Sequence, residues 1–95
     1  MSTEYKIAET QSFSKKMEAA IYKKLYIKIY AYVYPQLRRN PFFGPNIKRL
    51  KGKYSDYYRY RIGDYRLFYR IEKEKVTVFI IEMIHRKKAY KKEGP

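Results

Sequence analysis

The 95-residue chain contains no cysteine. That excludes disulfides, thiol catalysis and any Cys-ligated metal centre. A single histidine, His85, excludes a His-rich metal site within one chain. No stretch approaches ~18 consecutive apolar residues, so no transmembrane segment is expected. The opening MSTEYKIAET lacks the apolar core of a secretory signal, which makes a soluble cytosolic protein the default expectation. Tryptophan is absent, while 13 tyrosines supply most of the aromatic area. A buried tyrosine brings apolar surface but needs a partner for its hydroxyl. Acid is scarce: nine Asp and Glu stand against 23 Lys and Arg, a net charge of +14. Such an excess calls for a polyanionic partner, whether nucleic acid, acidic protein or anionic membrane. Residues 1–34 hold six Lys and three Glu, net +3; the rest hold seventeen basic and six acidic residues, net +11. An electrostatic working surface therefore belongs to the C-terminal two-thirds.

A chain of this length makes one small domain, residues 1–95, with a modest core. Tyr5–Ala8 alternates weakly and suits a first strand. Ser12 or Ser14 is a candidate helix cap. From Phe13 the period becomes helical: Phe13, Met17, Ile21, Leu25, Ile29 and Val33 fall at i, i+4 steps, and Tyr22, Tyr26, Tyr30 and Tyr34 form a second row. Lys15, Lys16, Lys23, Lys24 and Lys28 read as a solvated face, and the tyrosine row as core. One helix over residues 13–39 would be long for this domain, so two packed helices or a bent one are expected. Pro35 should kink or end the helix near Tyr34, unless it opens a short final turn. Asn40–Asn46, NPFFGPN, is a loop; Ile47–Gly52 leads out of it. Val76–Ile84, VTVFIIEMI, is the most apolar strand and is expected to be central. His85–Glu93 is a basic final turn or tail. The expected fold is α+β, β-α-α-β-β-β, with one or two helices on one face of a mostly antiparallel sheet of about four strands.

The stretch Tyr57–Ile71, YYRYRIGDYRLFYRI, carries the most information. Two β-prone runs flank Gly63-Asp64, and glycine at the first loop position suits a two-residue type II′ turn. The register follows: Ile62 faces Tyr65, Arg61 faces Arg66, Tyr60 faces Leu67, Arg59 faces Phe68, Tyr58 faces Tyr69 and Tyr57 faces Arg70. Alternation gathers Tyr58, Tyr60, Ile62, Tyr65, Leu67, Tyr69 and Ile71 on one face and Tyr57, Arg59, Arg61, Arg66, Phe68 and Arg70 on the other. The apolar face should meet the helical stripe and leave the arginine face open to solvent. Like charges directly opposite destabilise a sheet by roughly 0.2–1 kcal/mol per pair. Arg61 against Arg66 is such a pair, and it points to an anion at that spot.

Several pieces in order resemble the RelE side of the RelE/ParE toxin superfamily. They are Asn40-Pro41…Gly44-Pro45, Leu50-Lys51-Gly52, Tyr58-Arg59-Tyr60-Arg61-Ile62-Gly63-Asp64-Tyr65-Arg66, Val76–Ile84, and His85-Arg86…Tyr90. The likeness runs from the first strand to Tyr90. It implies the toxin of a type II toxin–antitoxin pair that enters the ribosomal A site and cuts mRNA there. The reaction it implies is attack of a ribose 2′-OH on the adjacent phosphate, with no metal and no cofactor. The implied partners are a RelB-like antitoxin with an acidic toxin-binding segment, the mRNA, and ribosomal RNA. By this resemblance Arg59 and Arg61 sit at basic positions of the second strand and Arg66 at a phosphate-binding arginine. Arg86 follows the last strand, Tyr90 sits where a C-terminal tyrosine stacks on or activates the substrate, and His85 matches relatives with a histidine just before that arginine. The candidate catalytic set is Arg61, Arg66, His85, Arg86 and Tyr90. Arg59, Phe68, Arg70, Lys51 and Lys87 are candidates for holding RNA, with Phe68 the better base-stacking residue.

One departure matters. Some RelE-like enzymes carry lysines where this chain has Arg59 and Arg61. Arginine stays protonated and is a poor general base. Arg61 and Arg66 are then expected to bind phosphate, leaving the proton to His85 or Tyr90. Two other readings stand beside this one: a ParE-like toxin of the same fold that inhibits DNA gyrase, and a basic RNA-binding module without activity.

Overall fold

The structure, a computed structural model, describes residues 4–88. Its sheet has five strands, β1 (Lys6–Glu9), β2 (Ile47–Arg49), β3 (Tyr57–Ile62), β4 (Tyr65–Glu72) and β5 (Thr77–His85), in the order β1-β5-β4-β3-β2. Only β1 with β5 is parallel; the other pairs are antiparallel. The helical layer covers one face. The sheet thus has one strand more than the sequence indicated. Three-residue β2, pairing Ile47 with Tyr60, is too short for alternation to announce it. β5 is interior but not central; β4 takes the middle.

The β3–β4 hairpin has the expected register at all six pairs. Gly63 adopts φ +54°, while Asp64 keeps a negative φ. Positive φ at the first loop position alone is the type II′ pattern, and there glycine escapes the Cβ clash.

The helical stripe is broken where no breaker was visible. Helix α1 (Gln11–Met17) is capped by Thr10, not by Ser12 or Ser14. The Thr10 Oγ1 accepts from the Phe13 N–H at 3.2 Å and donates to the Ile81 carbonyl at 3.1 Å. Ser14 instead donates to Glu9 at 2.8 Å. Ala19 then turns extended (φ −65°, ψ 138°), which resets the helical phase. Ile21, expected in the core row, is 80% exposed as a result.

A second helical rod follows through a 3₁₀ turn (Ala20–Tyr22), α2 (Lys23–Lys28), a π turn (Ile29–Val33) and α3 (Tyr34–Arg39). Pro35 does not end it but sits in the first turn of α3, opening the short final segment that was the alternative expectation. The proline lacks an N–H, and its ring would crowd the Ala31 carbonyl. The wider turn just upstream, in which Tyr34 N–H donates to the Ile29 carbonyl, makes room for it.

The tyrosine face of the hairpin packs against this layer as expected. Phe13, Met17, Ile29, Val33, Tyr34 and Leu37 meet Tyr60, Ile62, Leu67, Tyr69, Val78, Ile80 and Met83. The buried hydroxyls find acceptors. Tyr34 donates to Glu9 at 2.6 Å, Tyr60 to Gln36 at 2.6 Å and Tyr69 to the Pro41 carbonyl at 2.8 Å. Burial, then the bond to Glu9, pushes the Tyr34 phenol well above the ordinary tyrosine range. Burial does the same for Tyr69.

A β-bulge controls the last strand. Phe68 pairs with Glu82 but Tyr69 pairs with Ile80, so Ile81 is the extra residue. Before the bulge Val78 and Ile80 point into the core; after it Met83 does, and His85 shares its face against Tyr65. Unbroken alternation would have driven Glu82 inward. The bulge substitutes Met83, fully buried, and spares the cost of an interior carboxylate.

Candidate nucleic-acid site

Arg61 and Arg66 stand on opposed Cα positions near the hairpin tip. They relieve their repulsion by parting. Arg61 remains exposed, while Arg66 folds over the turn and is only 5% exposed. Its Nη1 donates to the carbonyls of Gly63 and Tyr65, both at 3.0 Å. Its Nε is buried with no hydrogen-bond partner among the described residues. The expectation of a fully open arginine face therefore holds for Arg61 and Arg70 but fails for Arg66, and in part for Arg59, whose Nε is buried. A buried guanidinium whose described bonds go to carbonyls has excess positive charge to share.

The C-terminal end of β5 closes on the same tip. Arg86 N–H donates to the Asp64 carbonyl at 2.7 Å, and the Arg86 Nε lies 3.6 Å from the Asp64 carboxylate. Both side chains are half exposed or more, so the pair is a weak tether. Residues 86–88 begin a helical turn.

Arg61, Arg66 and Arg86 line one cavity of about 620 Å³, together with Lys28 and Tyr32 from the rod and Asp64. Four cations against one carboxylate give it a positive field, and its volume is within the range of small-ligand cavities. Three distant segments of sequence meet there because the rod runs past the hairpin tip.

The remaining sequence candidates are dispersed. His85 lies on the other face of β5, its ring edge-on to Tyr65 at 5.4 Å, with Tyr22 beyond. It does not line the cavity. Tyr90 lies outside the described residues. Arg59 and Phe68 form the next pair along the open face, and Arg70 opposes Tyr57 beyond them with its guanidinium 5.9 Å from that ring. Lys51 is exposed in the loop before β3, and Lys87 is exposed beside His85. Lys28, Tyr32 and Asp64 were not singled out as site residues by sequence. The only signal was the i, i+4 spacing of Lys28 and Tyr32, which puts them on one helix face. Among the described residues no group of three or more His, Asp or Glu is arranged to hold a metal. No described helix is long and apolar enough to cross a membrane.

This α+β fold is that of RelE/ParE-type toxins of toxin–antitoxin systems. Residues 7–90 match the family model described as the ParE toxin of the type II toxin–antitoxin system parDE, and the chain belongs to that family. Among solved structures it is similar to the RelBE2 toxin–antitoxin complex of Mycobacterium tuberculosis. The identity is 25%, over 88% of this chain and 93% of that one, with a TM-score of 0.73. The YoeB/ParE toxin of Agrobacterium tumefaciens shares the fold at 20% identity, over 84% and 97% of the two chains, with a TM-score of 0.68. The isolated E. coli RelE toxin does so at 22%, over 93% and 97%, with a TM-score of 0.61. No curated protein sequence matches the chain.

Proposed function

We propose that this toxin is a ribosome-dependent endoribonuclease that cuts mRNA in the ribosomal A site and so stops translation in the cytoplasm. The observation that carries the reading is the convergence of Arg61, Arg66 and Arg86 on one cavity. Cleavage by the neighbouring 2′-OH needs charge offset on the pentacovalent phosphorane, and fixed guanidinium donors supply it without a metal. Arg66 is pre-aimed by its bonds to the turn carbonyls, so little reorganisation is needed when charge develops. Arg59, Phe68, Arg70, Lys51 and Lys87 would hold flanking RNA and ribosomal RNA. The three arginines stay protonated and cannot take the 2′-OH proton. With His85 turned toward Tyr65, Tyr90 is the residue we assign to proton transfer. A RelB-like antitoxin with an acidic segment would neutralise the toxin by covering the basic cavity; the similar M. tuberculosis RelBE2 structure is a toxin–antitoxin complex.

The test is to map cleavage ends on mRNA of programmed ribosomes. Parental protein is expected to cut at codon boundaries there and to leave naked RNA nearly intact. Arg66→Ala should abolish both the cuts and growth arrest. Tyr90→Phe should slow cutting by roughly 10²-fold or more, the usual share of a general acid or base, and His85→Ala by less than tenfold. Cutting by Arg66→Ala at the parental rate would refute the phosphate role. A second reading, inhibition of DNA gyrase, is favoured by the family model itself, which is that of ParE. Loss of supercoiling activity with no RNA cuts would establish it instead.

A further inference from the structure

We propose that Tyr32, with Lys28, forms a nucleobase subsite on the rod side of the arginine cavity. It would take one unpaired base of a single-stranded RNA while Arg61, Arg66 and Arg86 hold a neighbouring phosphate. The proposal rests on the reading that this cavity receives RNA. Its first support is Tyr32 itself. The rod carries five tyrosines, and four are engaged. Tyr26 and Tyr34 donate to Glu9, Tyr30 stacks edge-on between those two rings, and Tyr22 stands edge-on to Tyr65. Tyr32 makes no ring contact or hydrogen bond among the described residues and is 69% exposed.

The second support is position. A lone exposed tyrosine is ordinary on a protein surface. This one lines the wall of the cavity that Arg61, Arg66 and Arg86 share. Lys28, one helical turn earlier and on the same face, lines it too. A nucleotide needs a flat apolar surface for its base and cations for its phosphates, and the two walls divide those tasks. An acidic peptide would use the cations but has no base to lay on the ring, which is why the exposed tyrosine favours RNA. Because every base has a π-face, the subsite would be tolerant of sequence.

The experiment measures binding of the full chain to a short labelled single-stranded oligoribonucleotide, and to an abasic ribose-phosphate chain of equal length, by fluorescence anisotropy. Tyr32→Ala should weaken binding of the base-bearing oligonucleotide by roughly 5- to 150-fold, the range of one base–aromatic stack, and leave the abasic chain unaffected. Tyr32→Phe should keep most of the affinity. Lys28→Ala should lower the salt slope of binding by about one. Parental affinity in Tyr32→Ala, equal losses on both chains, or no binding of the oligonucleotide by the parental protein would each overturn the subsite. So would a loss in Tyr32→Ala confined to a Glu/Asp-rich peptide, which would assign the wall to a protein partner. Ribosome cleavage mapped in parallel separates the two ideas. A protein that binds bases through Tyr32 but cuts no mRNA refutes the nuclease reading and leaves the subsite standing.

Discussion

Replacing Arg66 by methionine separates a functional residue from a structural one. The side chain is 5% exposed and no carboxylate bonds to it among the described residues; its described bonds go to the carbonyls of Gly63 and Tyr65. Hydrogen bonds involving a charged group contribute about 1.5–3 kcal/mol each, so losing two costs about 3–6 kcal/mol. Against this, an interior cation carries a desolvation penalty of several kcal/mol. Gly63 is exposed, so water can satisfy its freed carbonyl and reduce the loss further. Methionine keeps much of the volume and adapts to irregular space. The two sides nearly cancel, and Arg66→Met should unfold within about 2 kcal/mol of the parental protein. In a domain this size that is a shift of no more than roughly 8–16 °C in Tm, in either direction. Binding of a phosphate-bearing ligand should fall by roughly tenfold or more, the loss of at least one charge-assisted contact. Thermal unfolding and oligonucleotide binding read the two quantities on the same sample. A variant that loses more than about 4 kcal/mol of stability would refute the reasoning, because the guanidinium would then be a structural keystone of the turn. Full binding by a stable Arg66→Met protein would refute it from the other side.

The remaining predictions concern the tyrosine core. The folded phenols of Tyr34 and Tyr69 sit above their unfolded value near 10. Their contribution is therefore fully present below pH ~10 and is lost as pH rises past it, by about 1.4 kcal/mol per pH unit for each ring. Urea midpoints should fall between pH 10 and 11 and flatten in a Tyr34→Phe, Tyr69→Phe double variant; equal midpoints at pH 9 and 11 in the parental protein would contradict this. Glu9→Ala removes the acceptor of Ser14, Tyr26 and Tyr34, leaving the buried Tyr34 hydroxyl unsatisfied. A loss of about 1–3 kcal/mol is expected, smaller in Glu9→Gln, which keeps an acceptor oxygen. A melting temperature unchanged in Glu9→Ala would count against that network.

Local chemistry made much of this protein readable in advance. Gly63-Asp64 between two β-prone runs dictates the turn, and the turn dictates the register, because a two-residue loop leaves no slack. The pairing of Arg61 with Arg66, and the apolar face that packs on the helices, follow from that register. Net charge pointed to a polyanionic partner. The ordered motifs identified the superfamily, and the match over residues 7–90 bears this out at the level of the toxin family.

Other features depend on groups far apart in sequence. Thr10 caps α1 while its hydroxyl also donates to Ile81, a partner that no local pattern reveals. The break at Ala19 appears only once Met17 and the rod must both reach the core. The bulge at Ile81 answers a tertiary problem, keeping Glu82 out of an apolar layer. By inserting one residue it turns His85 away from the arginines that strict alternation would have joined it to. The cavity is tertiary in the same sense. Sequence set Arg61 against Arg66, since hairpin pairing is local. Only the course of the rod past the hairpin tip brought Lys28 and Tyr32 to them, and only the docking of β5 beside β4 brought Arg86, because those contacts close long loops that no local propensity encodes.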